Sequence, residues 1–227
     1  MNSKTADPAF YFLNYDYDRL NPDLGGNEIE LVYPKEVTSI FTTVNGPETA
    51  TLDLVDWLTG DDPFELEEPV QFSGFFPTIL KTDAPISERA YPLYSKKFLD
   101  ALKSLGPFDG RVFQTQIEDD VVGSGDDPNY RLGQITDQFV LIWFPHLDIL
   151  DVETSVYSNR YPPAGMVTGL QNVVLNIPEE GLPPIFRLKA SPVFTLVSAS
   201  AKVALEEREI SGLKFSTHPF GSQYRTG

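Results

Sequence analysis

Cysteine is absent from all 227 residues. No disulfide framework and no thiol chemistry can therefore be part of this protein, which fits a reducing compartment without requiring one. Histidine occurs only at His146 and His218. Two isolated histidines exclude the common His/Cys zinc patterns and leave little from which to assemble a catalytic triad, although Asp148 lies close to His146 in sequence. The motifs G-x-S-x-G, H-E-x-x-H and G-x-x-x-x-G-K-[ST] are missing as well. Long apolar runs are lacking: the longest, Phe139 to Pro145, is far too short to span a bilayer. The opening MNSKTADPAF has no basic segment followed by an apolar one. A soluble, cytoplasmic protein is the expectation, with no cofactor and no metal.

Basic residues are also scarce, 17 against 33 acidic, for a net charge of −16. The excess is lopsided. Residues 1–70 hold fifteen acids and three bases (Lys4, Arg19, Lys35), a net of −12, which leaves −4 for the remainder. A field of this sign repels nucleic acid and anionic lipid and speeds encounter with a basic partner. Plain solubility would give the same sign.

What is present is foldable. A hydrophobic share of 41% and an aromatic share of 12% belong to a chain with a core. No flexible Gly/Ser linker divides it, so 1–227 reads as one domain, with room for an acidic N-terminal lobe (1–80) beside a main body (81–220). Short helical patterns among many strand patterns predict an α+β fold, mostly antiparallel sheet with a few short helices packed on it.

The organising stretch is Ile185 to Phe215. Ile185, Phe186 and Leu188 form an apolar run, Pro192 marks a loop, and Ser198 caps a helix over Ala199 to Glu209. Gly212 then leads into a strand carrying Leu213, Phe215 and Thr217. The same order occurs earlier. Ser95 caps a helix whose Phe98, Ala101, Leu102 and Leu105 fall at i, i+3, i+4, i+7; Gly106 and Pro107 stop it, and Arg111 to Ile117 follow as a strand. Aligning Ser95 with Ser198 pairs Ala101 with Ala204 and Leu102 with Leu205; one residue of slippage pairs Gly110 with Gly212 and Phe113 with Phe215. This reads as one helix-then-strand unit used twice, although two unrelated amphipathic helices, each followed by a strand, would match at as few positions.

Elsewhere, Phe10 to Tyr17 reads as an opening strand with Asp16 and Asp18 on a solvated edge. Glu28 to Val32, Ser39 to Val44 and Val173 to Ile177 read as further strands, and Phe139 to Phe144 as a central strand buried on both faces. Val70 to Lys81, with Phe72, Phe75, Phe76, Ile79 and Leu80, lines a core or groove.

Two acidic clusters stand out. Asp61, Asp62, Glu65, Glu67 and Glu68 alternate with apolar residues between two prolines, and Asp119, Asp120, Asp126 and Asp127 flank a Gly-Ser-Gly loop. That loop lacks the lysine of a phosphate cradle and the ordered spacing of a calcium loop.

FYFLNYDYDR, YPLYSKKFLDAL with DGRVFQTQI, DILDVETSVY, PPIFRL and LVSASAKVALEEREISGLKF follow one another in an order that resembles a family of bacterial immunity proteins, over roughly residues 9–217. Members neutralise polymorphic toxins delivered by contact-dependent or type VI secretion. The shared motifs are structural, and residues 45–80 match none of them. The resemblance implies a cytoplasmic antidote that binds its cognate toxin one to one, in many cases an HNH-like nuclease with a basic surface. Carboxylates of the two clusters would then mimic phosphates, with Tyr15, Tyr17, Trp57 or Phe64 as anchors. Charge and loop position alone nominate these residues. A metal-dependent hydrolase using Asp119, Asp120, Asp126 or Asp127 with His146, and a non-enzymatic adaptor for another basic partner, remain as alternatives.

Overall fold

The computed structural model describes residues 8–16, 32–34, 68–86, 91–119, 134–161 and 165–218, with 32–34 as backbone only. Of the expected strand at 28–32 only Val32 is described, where it opens a strand, and the expected strand at 39–44 lies outside these residues. In chain order the elements are β1 (Phe10–Tyr15), β2 (Val32–Pro34), β3 (Val70–Gly74), α1 (Phe76–Ile79), β4 (Leu93–Ser95), α2 (Lys96–Lys103) and β5 (Arg111–Asp119). They continue with β6 (Ile135–Thr136), β7 (Phe139–Trp143), β8 (His146–Leu147), β9 (Asn159–Tyr161) and β10 (Met166–Thr168). The last are β11 (Ile185–Leu188), β12 (Ser191–Ser198), α3 (Ala199–Glu207) and β13 (Leu213–Ser216). Three short helices among the described residues, set on mostly antiparallel sheet, make this an α+β fold.

One sheet has the order β13-β1-β12-β11-β8 and a second β2-β3-β5-β7-β4, with β6 also on β5; β9 and β10 form a separate hairpin. Only β3/β5 and β8/β11 are parallel neighbours among the described pairs.

The helix-then-strand unit is present twice, and the sheets show what it is for. In each copy a strand ends on a serine, the serine caps a helix, and the chain returns as a strand parallel to the first but one place removed. An antiparallel strand fills the gap. In the first copy β7 lies between β4 and β5; in the second β1 lies between β12 and β13. The registers correspond. Ser95 faces Phe139, the first residue of β7, as Ser198 faces Phe10, the first residue of β1. Arg111 faces Trp143 at the other end of β7, as Leu213 faces Tyr15 at the end of β1.

Local chemistry makes both units. Ser95 Oγ accepts from the Phe98 amide and Ser198 Oγ from the Ala201 amide, each satisfying one of the orphan donors of a helix start. The α3 exit is a Schellman motif: the Ile210 amide donates to Leu205 O and the Glu209 amide to Glu206 O, with Glu209 at φ 51°. Both aligned glycines are held by close approach. A Cβ on Gly110 would lie 2.8 Å from Trp143 O and collide with the edge of the Phe108 ring; one on Gly212 would meet Thr82 Oγ1 and lie 3.1 Å from Ala84 O.

Among the described residues the core has three parts, sorted by strand alternation. Phe139 and Leu141 of β7 point into a cluster with Phe72, Phe76, Ile79, Phe113 and Ile117. Val140 and Ile142 point the other way, into a central cluster that joins both helices (Phe98, Leu99, Leu102, Ala201, Leu205) to both sheets (Leu13, Tyr94, Ile185, Val197). Phe12, Phe186 and Leu196 face outward from the first sheet under a cover of Leu150, Val167 and Leu170. Each large side chain fully buried here contributes about 1.5–3 kcal/mol.

Several expectations are corrected. Leu105 falls beyond the end of α2 and is exposed, while Leu99 completes the buried stripe. Pro192 lies inside β12, at the point where the β11/β12 register shifts, so its missing amide is tolerated at a bulge. Residues 173–177 form no strand: the backbone there is held by the isolated Leu150↔Leu175 bridge, while Val173 and Leu175 pack on the outer cluster. Asp16 is not solvated; it is 7% exposed and pairs with Lys214 at 3.0 Å. Asp18 is outside the described residues.

Candidate functional site

Of the nine acidic residues nominated as a partner surface, the described residues include Glu68 and Asp119; Asp61, Asp62, Glu65, Glu67, Asp120, Asp126 and Asp127 lie outside them. Glu68 is exposed, and its carboxylate accepts from the Gln114 amide at 2.6 Å, extending the β3/β5 ladder past Val70. Asp119 turns inward. It is 9% exposed, and Oδ1 accepts from the Phe76 amide at 3.1 Å at the start of α1, so it is a structural cap and not a surface carboxylate. Val70 is opposite Thr115 and Gly74 opposite Asp119. Glu68 and Asp119 thus mark opposite ends of one strand pair, roughly 15 Å apart at about 3.3 Å per residue. The described parts of the two clusters do not converge.

His146 sits in β8, opposite Arg187 of β11, with its ring edge-on to Trp143 at 5.4 Å. Asp119, its supposed partner in a metal site, belongs to the other sheet. Among the described residues no three His, Asp or Glu side chains gather as a metal-holding group. Of the aromatic anchors only Tyr15 is described; its hydroxyl donates to Tyr91 O at 3.3 Å.

A concavity among the described residues lies elsewhere. Where β1, β4, β11 and β12 meet, a cavity of about 220 Å³ is lined by Leu13, Asn14, Tyr15, Pro92, Tyr94, Arg187, Val193, Phe194, Thr195 and Leu213. Arg187 is its charged member. Alternation along β11 puts Arg187 on the same side as Ile185, towards the central cluster, and the residue is only 7% exposed. Its Nε donates to Thr195 Oγ1 at 3.3 Å, and its guanidinium lies 5.6 Å from the centre of the Phe144 ring. Tyr94 stacks on Phe98 at 4.2 Å and tilts against Phe144 at 5.7 Å. Burial pushes the Tyr94 hydroxyl up to about 12, the nearby Arg187 charge and a hydrogen bond with Tyr15 offsetting only part of that rise. Burial pushes Arg187 down from its ordinary value, but a guanidinium starts so high that it stays charged at neutral pH. The cavity therefore combines a fixed cation, a neutral phenol and an apolar wall.

Arg187 and Tyr94 do not announce themselves in the sequence. The available signal is a charged residue inside an otherwise apolar strand, Ile185-Phe186-Arg187-Leu188, all four of which are buried. A second concavity, between α3 and β13, carries both signs of charge, with Lys202 paired to Glu206 at 2.7 Å and Lys214 to Asp16. Among the described residues no helix is long and apolar enough to cross a membrane. No family model matches the chain, and no curated protein matches its sequence.

Proposed function

We propose that this is an immunity protein, which binds a cognate secreted toxin in the cytoplasm of the producing cell and blocks it by occupying a basic surface. The observation that carries the reading is the charge: −16 overall, with −12 on residues 1–70. Such a field accelerates association with a positively charged partner and disfavours nucleic acid and anionic membranes. The resemblance of its ordered motifs to those of immunity proteins supports it; the motifs at 10–19, 91–102, 109–117 and 196–215 include the strands and helices of the duplicated units, and those at 148–157 and 183–188 lie outside them.

Asp119 leaves the proposed contact set because its carboxylate caps α1. The surface is then Asp61, Asp62, Glu65, Glu67 and Glu68, with Asp120, Asp126 and Asp127. The test co-expresses the effector encoded beside this protein with the wild-type chain and with lysine substitutions at each cluster, Glu68 being left unchanged because its carboxylate holds the Gln114 amide. Rescue of growth, one-to-one complex formation and an affinity that falls steeply with salt are expected. Charge reversal should weaken binding at least about tenfold while leaving the melting temperature within a few degrees. Salt-independent binding, or full rescue by both charge-reversed chains, contradicts the proposal.

A further inference from the structure

We propose that the outer edge of β13 is a docking site for an extended, basic segment of a partner polypeptide, which adds to the first sheet as a further strand; this is independent of the toxin-binding reading. Among the described strands β13 has a neighbour on one side only, β1. The Asp16 amide donates to Gly212 O, and the register continues as Tyr15↔Leu213, Asn14↔Lys214 and Leu13↔Phe215. Antiparallel partners alternate between bonded and non-bonded pairs. Gly212, Lys214 and Ser216 therefore bond to β1, while the N–H and C=O groups of Leu213 and Phe215 point away from it. Among the described residues those outward groups have no backbone partner. Such a row is a template for one more strand.

A hollow opens along the same edge. About 500 Å³ is lined by Lys202 and Glu206 of α3, by Glu209 and Ile210 at its exit, by Asp16, and by Leu213, Lys214 and Phe215 of β13. Leu213 and Phe215 lie on one face of the strand and Lys214 on the other, so a space that touches all three runs past the edge. On the α3 side it is floored by apolar groups, Ile210, Leu213 and Phe215, and Glu206 and Glu209 are exposed beside them. Lys202 is engaged with Glu206 at 2.7 Å and Lys214 with Asp16 at 3.0 Å, so the acid left over in the lining is Glu209. Arginine or lysine at alternate positions suits this wall: the stem lies on the apolar floor and the head reaches the carboxylates. A second copy of this chain is the wrong occupant, because two bodies of charge −16 would present the same acids and the same Lys214 to each other.

The test uses the full chain, 15N-labelled, titrated at constant ionic strength with a capped heptapeptide of alternating threonine and arginine. The amide resonances of Leu213 and Phe215 should shift saturably, and their hydrogen exchange should slow at least about tenfold. In an antiparallel pair the arginines stand opposite Leu213 and Phe215 and supply the bonds to β13. The same peptide N-methylated at its arginines should therefore fail to bind, and one with glutamate in place of arginine should bind at least about tenfold more weakly. Glu209→Lys, at an exposed position, should weaken the arginine peptide at least about twofold. No saturable shift, protection that falls outside residues 212–217, binding retained by the N-methylated or the glutamate peptide, or unchanged affinity in Glu209→Lys overturns the proposal.

Discussion

Asp83 and Ser211, 128 residues apart, exchange three hydrogen bonds: Asp83 Oδ2 accepts from the Ser211 amide at 2.9 Å and from its hydroxyl at 3.0 Å, and Ser211 Oγ accepts from the Asp83 amide at 3.1 Å. The other carboxylate oxygen accepts from Ser95 Oγ at 2.6 Å, and Lys97 Nζ approaches Oδ2 at 3.6 Å. One carboxylate thereby joins the cap of α2, in the first unit, to the turn after α3, in the second. Lys97 adds a second tie by donating to Glu209 O at 3.0 Å.

This junction makes stability depend on pH with a definite sign. Burial alone would raise the Asp83 carboxyl, but the bonds from Ser211 and Ser95 and the Lys97 charge outweigh it, and the group is held below 3.8. A folded-state value below the unfolded one contributes stability above the unfolded pKa, which is lost as pH falls through the folded one. Asp83→Asn should therefore cost about 1–3 kcal/mol at pH 7, and the gap from wild type should narrow below about pH 4. Denaturant melts at pH 7, 4 and 2.5 measure that gap; a constant difference across the three would remove Asp83 from the acid response.

Gly212 tests the close approach of the two units. With φ at 83° and Thr82 Oγ1 and Ala84 O against the site of a Cβ, alanine there meets both strain and collision. Gly181, at φ 90° with open space around it, meets strain alone. Gly181→Ala should cost about 1–2 kcal/mol, and Gly212→Ala more, by about 1–3 kcal/mol in the manner of an overpacked core. Equal losses in paired thermal melts would show that the units separate freely at this turn.

The two helix–strand units are legible in the sequence because their signals are local: a capping serine, an apolar stripe, a glycine before the return strand. The strand that fills each gap is not. β1 enters the second unit from the start of the chain and β7 enters the first from beyond it, and non-local pairing leaves no mark at either end. The same limit applies to the sites. Glu68, Asp119 and Asp16 all look like solvated acids, yet the fold uses them on the Gln114 amide, the Phe76 amide and Lys214. Arg187 looks like an interruption in a strand, and only the stacking of two sheets turns it inward.

Glu209 offers a stabilising substitution. It holds the left-handed position of a Schellman motif, where glycine carries no steric penalty. Its negative charge also sits at a helix C-terminus, the unfavourable end of the dipole. The Lys97 contact is to the backbone carbonyl and survives the change. Glu209→Gly should stabilise by about 0.5–1.5 kcal/mol, read as a higher urea midpoint at unchanged slope. A lower midpoint would mean that the Glu209 side chain makes a contact worth more than the backbone strain.

The two capping serines are equivalent in sequence and in register, but they should not be equal in cost. Ser198 Oγ accepts from the Ala201 amide and meets Ser200 Oγ at 3.0 Å, so its loss is the loss of a helix cap, about 1 kcal/mol. Ser95 Oγ accepts from the Phe98 amide and also donates to Asp83, so alanine there uncaps α2 and strips a partly buried carboxylate of a donor. Bonds to charged groups are worth about 1.5–3 kcal/mol, which places Ser95→Ala at roughly 2–4 kcal/mol. A double-mutant cycle separates the two contributions. Ser95→Ala with Asp83→Asn should show a coupling of at least about 0.5 kcal/mol, because the second change removes the charge the first one leaves exposed. Ser198→Ala, which shares no bond with Asp83, should add to Asp83→Asn within about 0.5 kcal/mol. Equal single costs together with additivity in both cycles would reduce Asp83 to a bystander at the joint between the units.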